Sequence, residues 1–484
     1  CTMEFPLRRC TNEPLSLVWN RTLSSSSPHF RLLNEFQTNY FHAGWHGPVR
    51  ILVIVNLFPP LHAGTFDFRC EAVCNLLGKR GHEIHVLTSK YGLSTEQRDT
   101  QLQRRLVLNG EFVPLVTGYS EMKEIEEQNN AIVREVIDSF APELVYVWSM
   151  KGLSKSIIFT LRNTKIPTVY DVADDWLTQG IKHDPWLRWW NTDSPGMAAG
   201  LMRSAFEASG QRDKLSVSAP TRMMKGYERV PELYGKLADR VQPGAIGAFH
   251  FDRLYFCSQS LKHEAEQAGF RVGHAEVIYP GIATEKFWNE PKPVGETPKK
   301  FLIVSQLRGK SGVMTALQGL KLARDHEVHA SYSVYGRGES EQIAQLKSYV
   351  IQQSLPVEFL TVSNQQKDLA QVYRQHDGYI YCAEWDEPFA LTPIEAMASG
   401  IPVIGAKSGG VRELLRAGEN GWAYKPGDAL ELASRIQEVQ MQPALRAQII
   451  ENAQAEVMGR FSESYMLDQI ETYLQTTLEV WQHN

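Results

Sequence analysis

The amino-acid sequence predicts an α/β protein with two doubly wound domains, each built on a mostly parallel sheet. The chain has 484 residues, which is more than one ordinary hydrophobic core accommodates, so two domains are expected. Short apolar segments alternate with segments of helical periodicity in both halves of the chain, a pattern typical of parallel sheets covered by helices. A polar, proline-bearing stretch, NEPKPVGETPKK, separates the halves and is interpreted as a linker over 289–300.

Composition places the chain among globular proteins and argues against several functional classes. Hydrophobic residues make up 43% and charged residues 22%, and the net charge of -5 gives no basic face for nucleic acid. No apolar run reaches the roughly 20 residues that a membrane span needs. The six cysteines are scattered without a CxxC pair, which argues against a disulfide framework and predicts a reducing, cytoplasmic location.

Residues 1–48 form an arm that differs from the rest. They lack a clear apolar period, contain a serine run at 24–27 and show no signal-peptide core. The chain begins with Cys1 rather than Met, so either a fragment or an altered start is expected. This arm is expected to be at most partly ordered.

The first domain is predicted over 49–288 from successive strand and helix segments. The apolar run VRILVIVNLF at 49–58, followed by two prolines, predicts a buried strand that ends in a loop. A helix is predicted after Gly64, ending before Gly81, and EIHVLTS predicts the next strand. Further strands are predicted in LVYVWS at 144–149, PTVYDVAD at 167–174 and RLYFCS at 253–258.

A segment over about 177–247 departs from this rhythm, because helical patterns dominate it. It contains Trp186, Trp189 and Trp190 in DPWLRWW. The structural interpretation is a helical insertion with its own small aromatic core. The functional alternative is an acceptor platform, since tryptophans stack on sugar rings and also favour membrane interfaces.

The second domain is predicted over 301–458, and residues 459–484 predict a final helix. Strands are predicted in FLIVSQ, ASYSVYG, VEFLTVS, DGYIYCAE, IPVIGAKS and GWAY. Two glutamates, Glu387 and Glu395, flank the start of the helix that comes after DGYIYCAE. Thr392 and Glu395 have capping-box spacing, with Pro393 at the first helical position. The N-terminus of this helix, after a parallel strand, predicts an anion site suited to a diphosphate.

Capping alone would explain Glu395 but would leave Glu387 unexplained. A carboxylate beside an anion site repels phosphate unless a neutral group lies between them. A sugar hydroxyl that donates to the carboxylate is such a group.

These residues resemble the family 4 retaining glycosyltransferases of GT-B fold. Glu387 and Glu395 match the family's E-x7-E motif, and the adjoining segment EAMASGIPVIGAKSGGVRELLRAGENGWAYKPGD is typical of the family. FPPLHAG, KRGHEIHVLTS and VIYPGIATEKF resemble family segments in the first domain. The resemblance runs from about residue 50 to the C-terminus and weakens across 177–247.

The resemblance implies two Rossmann-like domains facing a cleft, with a nucleotide sugar held mainly by the second and an acceptor by the first. It implies retention of anomeric configuration without metal or cofactor, with a UDP-sugar as the default donor, and a last helix that crosses back to the first domain. Glu387 would hold donor-sugar hydroxyls, Glu395 would hold ribose hydroxyls, and Gly64 would let the first domain's loop approach the diphosphate. The backbone that would meet the phosphates is that of Phe389, Ala390, Leu391 and Thr392.

Two sites depart from the family pattern. In VSQLRGKSG, Gln306 and Ser311 occupy the places of the family's arginine and lysine, so Arg308 and Lys310 are predicted to share the neutralisation of the diphosphate. In VYDVADDW, Ala173 occupies the place of the family's histidine and Asp174 that of its aspartate. Asp174 is predicted to contact the acceptor or the donor sugar, and loop capping is its structural alternative.

The leading hypothesis is a retaining glycosyltransferase that uses a nucleotide sugar and a sugar or small-molecule acceptor. A non-catalytic or rewired nucleotide-binding protein is the alternative that the departures suggest. A dinucleotide-dependent oxidoreductase is the third, although Glu341, the residue directly after VYGRGES, stands in place of the third glycine of the fingerprint. Docking of the Trp-rich insertion on a membrane surface also stays open.

Overall fold

The computed structural model describes residues 47–484, apart from 63–64, 182, 192–195, 209–250, 252, 271, 308, 361–368 and 483–484. The predicted N-terminal arm therefore lies outside the described residues except for 47–48, and so does most of the predicted insertion.

The first domain is a sheet covered by helices, and in the described part of the chain its strands run in the order β3-β4-β2-β1-β5-β6-β7-β8. All neighbours pair in parallel except β3 and β4. The elements are β1 (Arg50–Ile54), α1 (Thr65–Lys79), β2 (Glu83–Ser89), β3 (Gln97–Arg98), β4 (Leu102–Leu106), α2 (Tyr119–Phe140), β5 (Leu144–Val147), α3 (Ile157–Asn163), β6 (Thr168–Val172), a π-helical segment (Trp176–Gly180), α4 (Pro185–Asn191), α5 (Met197–Ala208), β7 (Arg253–Phe256), α6 (Gln259–Gln267) and β8 (Glu276–Val277).

The structure confirms the predicted strands of this domain. They could be predicted because strands that are buried on both faces are continuous apolar runs. Three short strands, β3, β4 and β8, were not predicted. The sequence of β4, LQRRL, does not look like a buried strand because it contains two arginines. In the structure, however, Arg104 and Arg105 are each only 3% exposed. Their guanidinium groups find partners: Arg105 pairs with Glu135, and Arg104 donates to backbone carbonyls near Pro59.

The described start of the insertion supports its structural interpretation. Trp186 on α4 is 1% exposed and packs against Met122 and Tyr119 of α2. Trp189 lies against the same Tyr119 ring, with centroids 4.4 Å apart. These aromatic rings form a small core that attaches α4 to the first domain.

The second domain is a parallel sheet in the order β11-β10-β9-β12-β13-β14. The strands predicted for it are confirmed. Its elements, together with those that precede and follow it, are α7 (Thr284–Phe287), β9 (Lys300–Val304), α8 (Val313–Asp325), β10 (Ser331–Tyr335), α9 (Ser340–Gln352), β11 (Val357–Leu360), α10 (Leu369–Arg374), β12 (Gly378–Tyr381), α11 (Thr392–Ala398), β13 (Val403–Ala406), α12 (Val411–Leu414), β14 (Trp422–Tyr424), α13 (Ala429–Met441), α14 (Pro443–Arg460) and α15 (Glu463–Gln482).

The last helix, α15, returns to the first domain. The Tyr473 hydroxyl donates to the backbone oxygen of Leu254 in β7 at 2.8 Å. Arg80, just after α1, pairs with Asp468 at 2.6 Å and also with Glu471. These contacts attach the C-terminal end of the chain to both α1 and β7.

Candidate functional site

The predicted donor residues lie at the point where the second sheet reverses its strand order. From the central pair β9 and β12, the chain continues to β10 on one side and to β13 on the other. Open α/β sheets bind ligands outside the carboxyl ends of the strands at such a switch point. The loop after β9 carries Lys310, and the loop after β12 carries Glu387.

These two loops are joined to one another through the backbone. The Glu384 amide donates to the Lys310 carbonyl at 2.9 Å, and the Cys382 thiol lies 3.3 Å from the Ser311 carbonyl. The Lys310 side chain is exposed, and no hydrogen bond or ion pair of its ammonium is found among the described residues. Gly309 has a φ of 49°, in the left-handed region that glycine adopts without strain. Arg308 lies outside the described residues.

Glu387 is half-buried in its loop and is held by one phenol. The Tyr381 hydroxyl, at the end of β12, donates to Glu387 Oε2 at 2.8 Å. Burial raises the pKa of Glu387, and the Tyr381 hydrogen bond opposes that rise. A Cβ at Gly409 would lie 2.1 Å from the Glu387 carbonyl oxygen. The Glu387 loop therefore packs directly against the backbone of Gly409, where a side chain would not fit.

Glu395 lies on α11, where it is 8% exposed. The Tyr373 hydroxyl donates to its Oε2 at 2.9 Å. Burial raises the pKa of Glu395 to about 7, and Tyr373 and then Lys286 oppose the rise. No hydrogen bond to the Oε1 atom of either Glu387 or Glu395 is found in the described part of the chain, so each carboxylate retains an acceptor for a ligand hydroxyl.

The predicted capping box at this helix is wrong. The helix begins at Thr392, one residue earlier than expected, with Leu391 as its N-cap and no side-chain cap. The Thr392 hydroxyl instead accepts a hydrogen bond from the Tyr379 hydroxyl at 2.7 Å. Capping therefore does not explain Glu395. The Thr392 hydroxyl, which would have formed the box, is hydrogen-bonded to Tyr379 of β12 and caps no amide of the helix.

The loop that was predicted to meet the phosphates also reaches the first domain. Phe389 packs against the hydrophobic cores of both domains. Its ring lies 5.5 Å from Tyr279 and 5.9 Å from Phe461, centroid to centroid. Ala390 is buried and Leu391 half-buried, so the segment is anchored on its apolar side.

The first domain has its own switch point, between β1 and β5. Asn56 after β1 donates to the Lys151 carbonyl at 3.1 Å and joins the two loops there. Arg104 donates to the Phe58 carbonyl at 2.8 Å and to that of Pro59, which supports the start of the FPPLHAG loop. Gly64, the predicted diphosphate contact in that loop, lies outside the described residues.

The three aspartates of VYDVADDW do not form one cluster. Asp171 is 0% exposed and accepts from Arg69 at 2.6 Å and from the Tyr255 hydroxyl at 2.8 Å, so it belongs to the core. Asp175 pairs with Lys151 at 2.6 Å. Asp174 is half-buried, and its Oδ1 accepts from the Trp176 amide at 2.7 Å, which is the loop capping of the structural alternative. Burial raises the pKa of Asp174 to about 6, although Lys151 lowers it.

Sequence reasoning missed the groups that hold these residues. Tyr381 and Tyr373 look like apolar members of a strand and a helix, yet both place a hydroxyl on a site carboxylate. The glycines of VYGRGES have a packing role. A Cβ at Gly336 would lie 1.8 Å from the Ser305 carbonyl oxygen, and one at Gly338 would lie 2.1 Å from that of Leu307. These two glycines therefore let the β10 loop approach the β9 loop.

Two properties of the described residues bear on the ligand classes. No group of three or more His, Cys, Asp or Glu side chains there is arranged to hold a metal ion. None of the described helices is long and apolar enough to span a bilayer.

Comparisons with known proteins agree with this arrangement. Residues 284–456 match the family model described as "Glycosyl transferases group 1". The amylovoran biosynthesis glycosyltransferase AmsK of Erwinia amylovora is 25% identical over 224 residues, which cover 45% of this chain and about half, 54%, of that relative. The uncharacterized glycosyltransferase MJ1607 of Methanocaldococcus jannaschii is 26% identical over 437 residues, which cover 86% of this chain and 95% of that protein.

Solved structures show the same fold at low identity. The crystal structure of Anabaena Alr3699/HepE in complex with UDP matches with a TM-score of 0.58 at 19% identity, covering 88% of this chain and 100% of that one. The same protein in complex with UDP-glucose matches with a TM-score of 0.57 at 19% identity, over 88% and 100% of the two chains. The chain therefore has a GT-B-like α/β fold, and within it residues 284–456 are similar to the glycosyl transferases group 1 family.

Proposed function

We propose that this protein is a retaining glycosyltransferase of family 4 type. It moves a sugar from a nucleotide-diphosphate sugar, with a UDP-sugar as the default donor, to a sugar or small-molecule acceptor. The observation that carries the proposal is the pair Glu387 and Glu395 beside the switch point of the second sheet. Among the described residues, a tyrosine hydroxyl holds each carboxylate through Oε2, and Oε1 has no hydrogen-bond partner there and is proposed to accept from a ligand hydroxyl.

The roles of the two glutamates are inferred from their places. Glu387 is half-buried in the loop after β12 and would accept hydrogen bonds from hydroxyls of the donor sugar. Glu395 lies deeper, on α11, and would accept from the ribose hydroxyls. The backbone of 389–392 between them would meet the diphosphate. The donor class is suggested by a solved structure of similar fold that is in complex with UDP.

Lys310 supplies the positive charge that the reaction needs. As the bond between the anomeric carbon and the diphosphate oxygen breaks, negative charge grows on the diphosphate and positive charge on the sugar ring. The exposed ammonium of Lys310, on the loop bonded to that of Glu384, stabilises the departing diphosphate. Arg308 is proposed to share this role.

In the proposed reaction, the acceptor oxygen attacks the anomeric carbon from the face that the diphosphate leaves. The new glycosidic bond forms as the bond to the diphosphate breaks, and the acceptor proton passes to a diphosphate oxygen. No side-chain base is required, in keeping with Ala173 at the place of the family's histidine. Asp174 is proposed to orient the acceptor or the donor sugar from the first domain.

Titration calorimetry tests the donor class, with UDP, ADP, GDP and NAD as probes. UDP is expected to bind most tightly and NAD not to bind. Transfer is then assayed with UDP-sugars and simple sugar acceptors, and proton NMR of the first product reports its anomeric configuration. Binding of NAD without any of the nucleoside diphosphates would overturn the proposal, and an inverted product would overturn retention.

A further inference from the structure

Helix α12 of the second domain is hydrogen-bonded to the first domain through the carboxylate of Glu413. Glu413 on α12 accepts from the Gln259 amide with Oε2 at 2.8 Å and from the Ser260 amide with Oε1 at 2.6 Å. Both amides belong to the first turn of α6, in the first domain. The Tyr279 hydroxyl donates to the same Oε2 at 3.0 Å.

These amides are the ones that α6 cannot satisfy internally. The first N–H groups of a helix have no carbonyl partner within it. The Ser258 hydroxyl accepts from the Leu261 amide at 3.1 Å, which leaves the amides of Gln259 and Ser260 for another acceptor. A carboxylate at a helix N-terminus is also favoured by the helix dipole. Glu413 therefore completes from one domain the cap of a helix in the other.

The opposite end of α12 is attached to the proposed donor loop. The Gly410 amide donates to the Glu387 carbonyl at 2.9 Å. The Gly409 amide donates to Asp386 Oδ1 at 2.7 Å, and Arg412 pairs with the same Oδ1 at 2.7 Å. The four-residue helix α12 thus links the loop that holds Glu387 to the first turn of α6.

We infer that Glu413 is a positioning residue that couples the donor loop to closure of the two domains. We call Glu413 with the amides of Gln259 and Ser260 the interdomain clamp. Separation of the domains would break the two charge-assisted hydrogen bonds of the clamp, so the clamp favours the domain arrangement that the structure shows. A shift of the Glu387 loop would move α12 and release the clamp. This coupling rests on the proposed function, whereas the clamp itself does not.

Two variants and one matched control separate a clamp from a simple helix cap. Glu413→Ala removes the two hydrogen bonds of the clamp and the one from Tyr279, and Glu413→Gln keeps one acceptor oxygen while losing the charge. Ser258→Ala weakens the cap of the same helix from within the first domain, without touching the contact between domains. A purely structural role of Glu413 would make all three variants alike.

Small-angle X-ray scattering and steady-state kinetics of the full chain give the readouts. Glu413→Ala is expected to increase the radius of gyration and to lower turnover at least about tenfold, equivalent to about 1.4 kcal/mol. Glu413→Gln should fall between it and the wild type. UDP affinity should change less than turnover, because all the proposed nucleotide contacts except that of Gly64 lie within the second domain. Ser258→Ala should lower the melting temperature and leave the radius unchanged.

An unchanged radius of gyration and turnover within twofold in both Glu413 variants would overturn the inference, and so would an equal turnover loss in Ser258→Ala. If the wild type transfers no sugar, the proposed function fails while the scattering still tests the clamp. If the wild type transfers sugar and the radius does not respond, only the clamp fails.

Discussion

Replacement of Glu395 by glutamine should raise the free energy of unfolding at alkaline pH and lower the affinity for UDP. Glu395 is 8% exposed, and its pKa is raised to about 7 from the ordinary 4.5 by burial. Glutamine has the shape of the protonated acid and can still accept from Tyr373. The substitution therefore removes a buried negative charge without removing the hydrogen bond.

The pKa difference sets the size of the effect. The folded protein keeps the Glu395 proton up to about pH 7, whereas the unfolded chain releases it near pH 4.5. Between these values the folded state holds more protons, so rising pH lowers its stability. At about 1.4 kcal/mol per pH unit, the free energy of unfolding of wild type relative to Glu395→Gln should fall by about 2 to 3 kcal/mol between pH 5 and pH 8.

Urea denaturation at several pH values between 5 and 8 measures this difference. The two proteins should unfold at similar urea concentrations at pH 5, and the variant should be the more resistant at pH 8. Glu419→Gln, which removes a carboxylate that is 67% exposed, serves as the matched control and should show no such trend. UDP titrations on the same samples should show weaker binding to Glu395→Gln at pH 8, because a neutral amide is a poorer acceptor for ribose hydroxyls.

Two results would refute this reasoning. A variant less stable than wild type at pH 8 would mean that the charged form of Glu395 stabilises the fold, contrary to the effect of its burial. Unchanged UDP affinity together with the expected stability trend would leave Glu395 as a buried acid with no ligand.

The same contacts support four further predictions. Glu387→Ala should lower turnover by more than about tenfold, or about 1.4 kcal/mol, with little change in melting temperature because the side chain lies in a loop; steady-state kinetics that show a smaller loss would reject its role. Lys310→Ala should cost about 2 to 4 kcal/mol in transition-state stabilisation, seen in turnover more than in acceptor affinity, and a loss of less than tenfold would show that the charge is not needed. EDTA should leave turnover unchanged, since lysine charge is proposed to neutralise the diphosphate; loss on chelation that Mn²⁺ or Mg²⁺ restores would contradict this. Asp171→Asn should destabilise the protein by about 3 to 5 kcal/mol in urea denaturation, because it leaves the buried Arg69 without its counter-ion, and a neutral result would show that the pair is dispensable.

Much of the fold could be predicted from the sequence because its strands are buried on both faces. Such strands must be continuous apolar runs, so β1, β5 and β12 stand out without any knowledge of their neighbours. The short strand β4 was missed, because its two arginines are buried only through partners elsewhere in the chain. Glu135 and the carbonyls of Phe58 and Pro59 supply those partners.

The site could be predicted in part for a similar reason. The position of a loop after a parallel strand follows from topology. The loops of Lys310 and Glu387 were therefore placed correctly at the carboxyl ends of the central strands of the second sheet. The capping role offered for Glu395 was wrong, because local spacing cannot reveal that a tyrosine from the neighbouring strand binds Thr392. The aspartates of VYDVADDW look equivalent in sequence, yet one of them is buried against an arginine that is 102 residues away.

The sequence by itself determined where the long apolar strands and the helices between them lie, how they alternate, and which loops carry carboxylates and cations, but not the strands β3, β4 and β8. These features depend on the apolar period and on residue types at short spacing. Only the tertiary structure decided which side chains hold those groups: a tyrosine 22 residues from Glu395, and backbone amides 153 and 154 residues from Glu413. Such partners come together only when whole elements pack. Hydrogen bonds between distant segments produce no periodic pattern in the sequence from which they could be predicted.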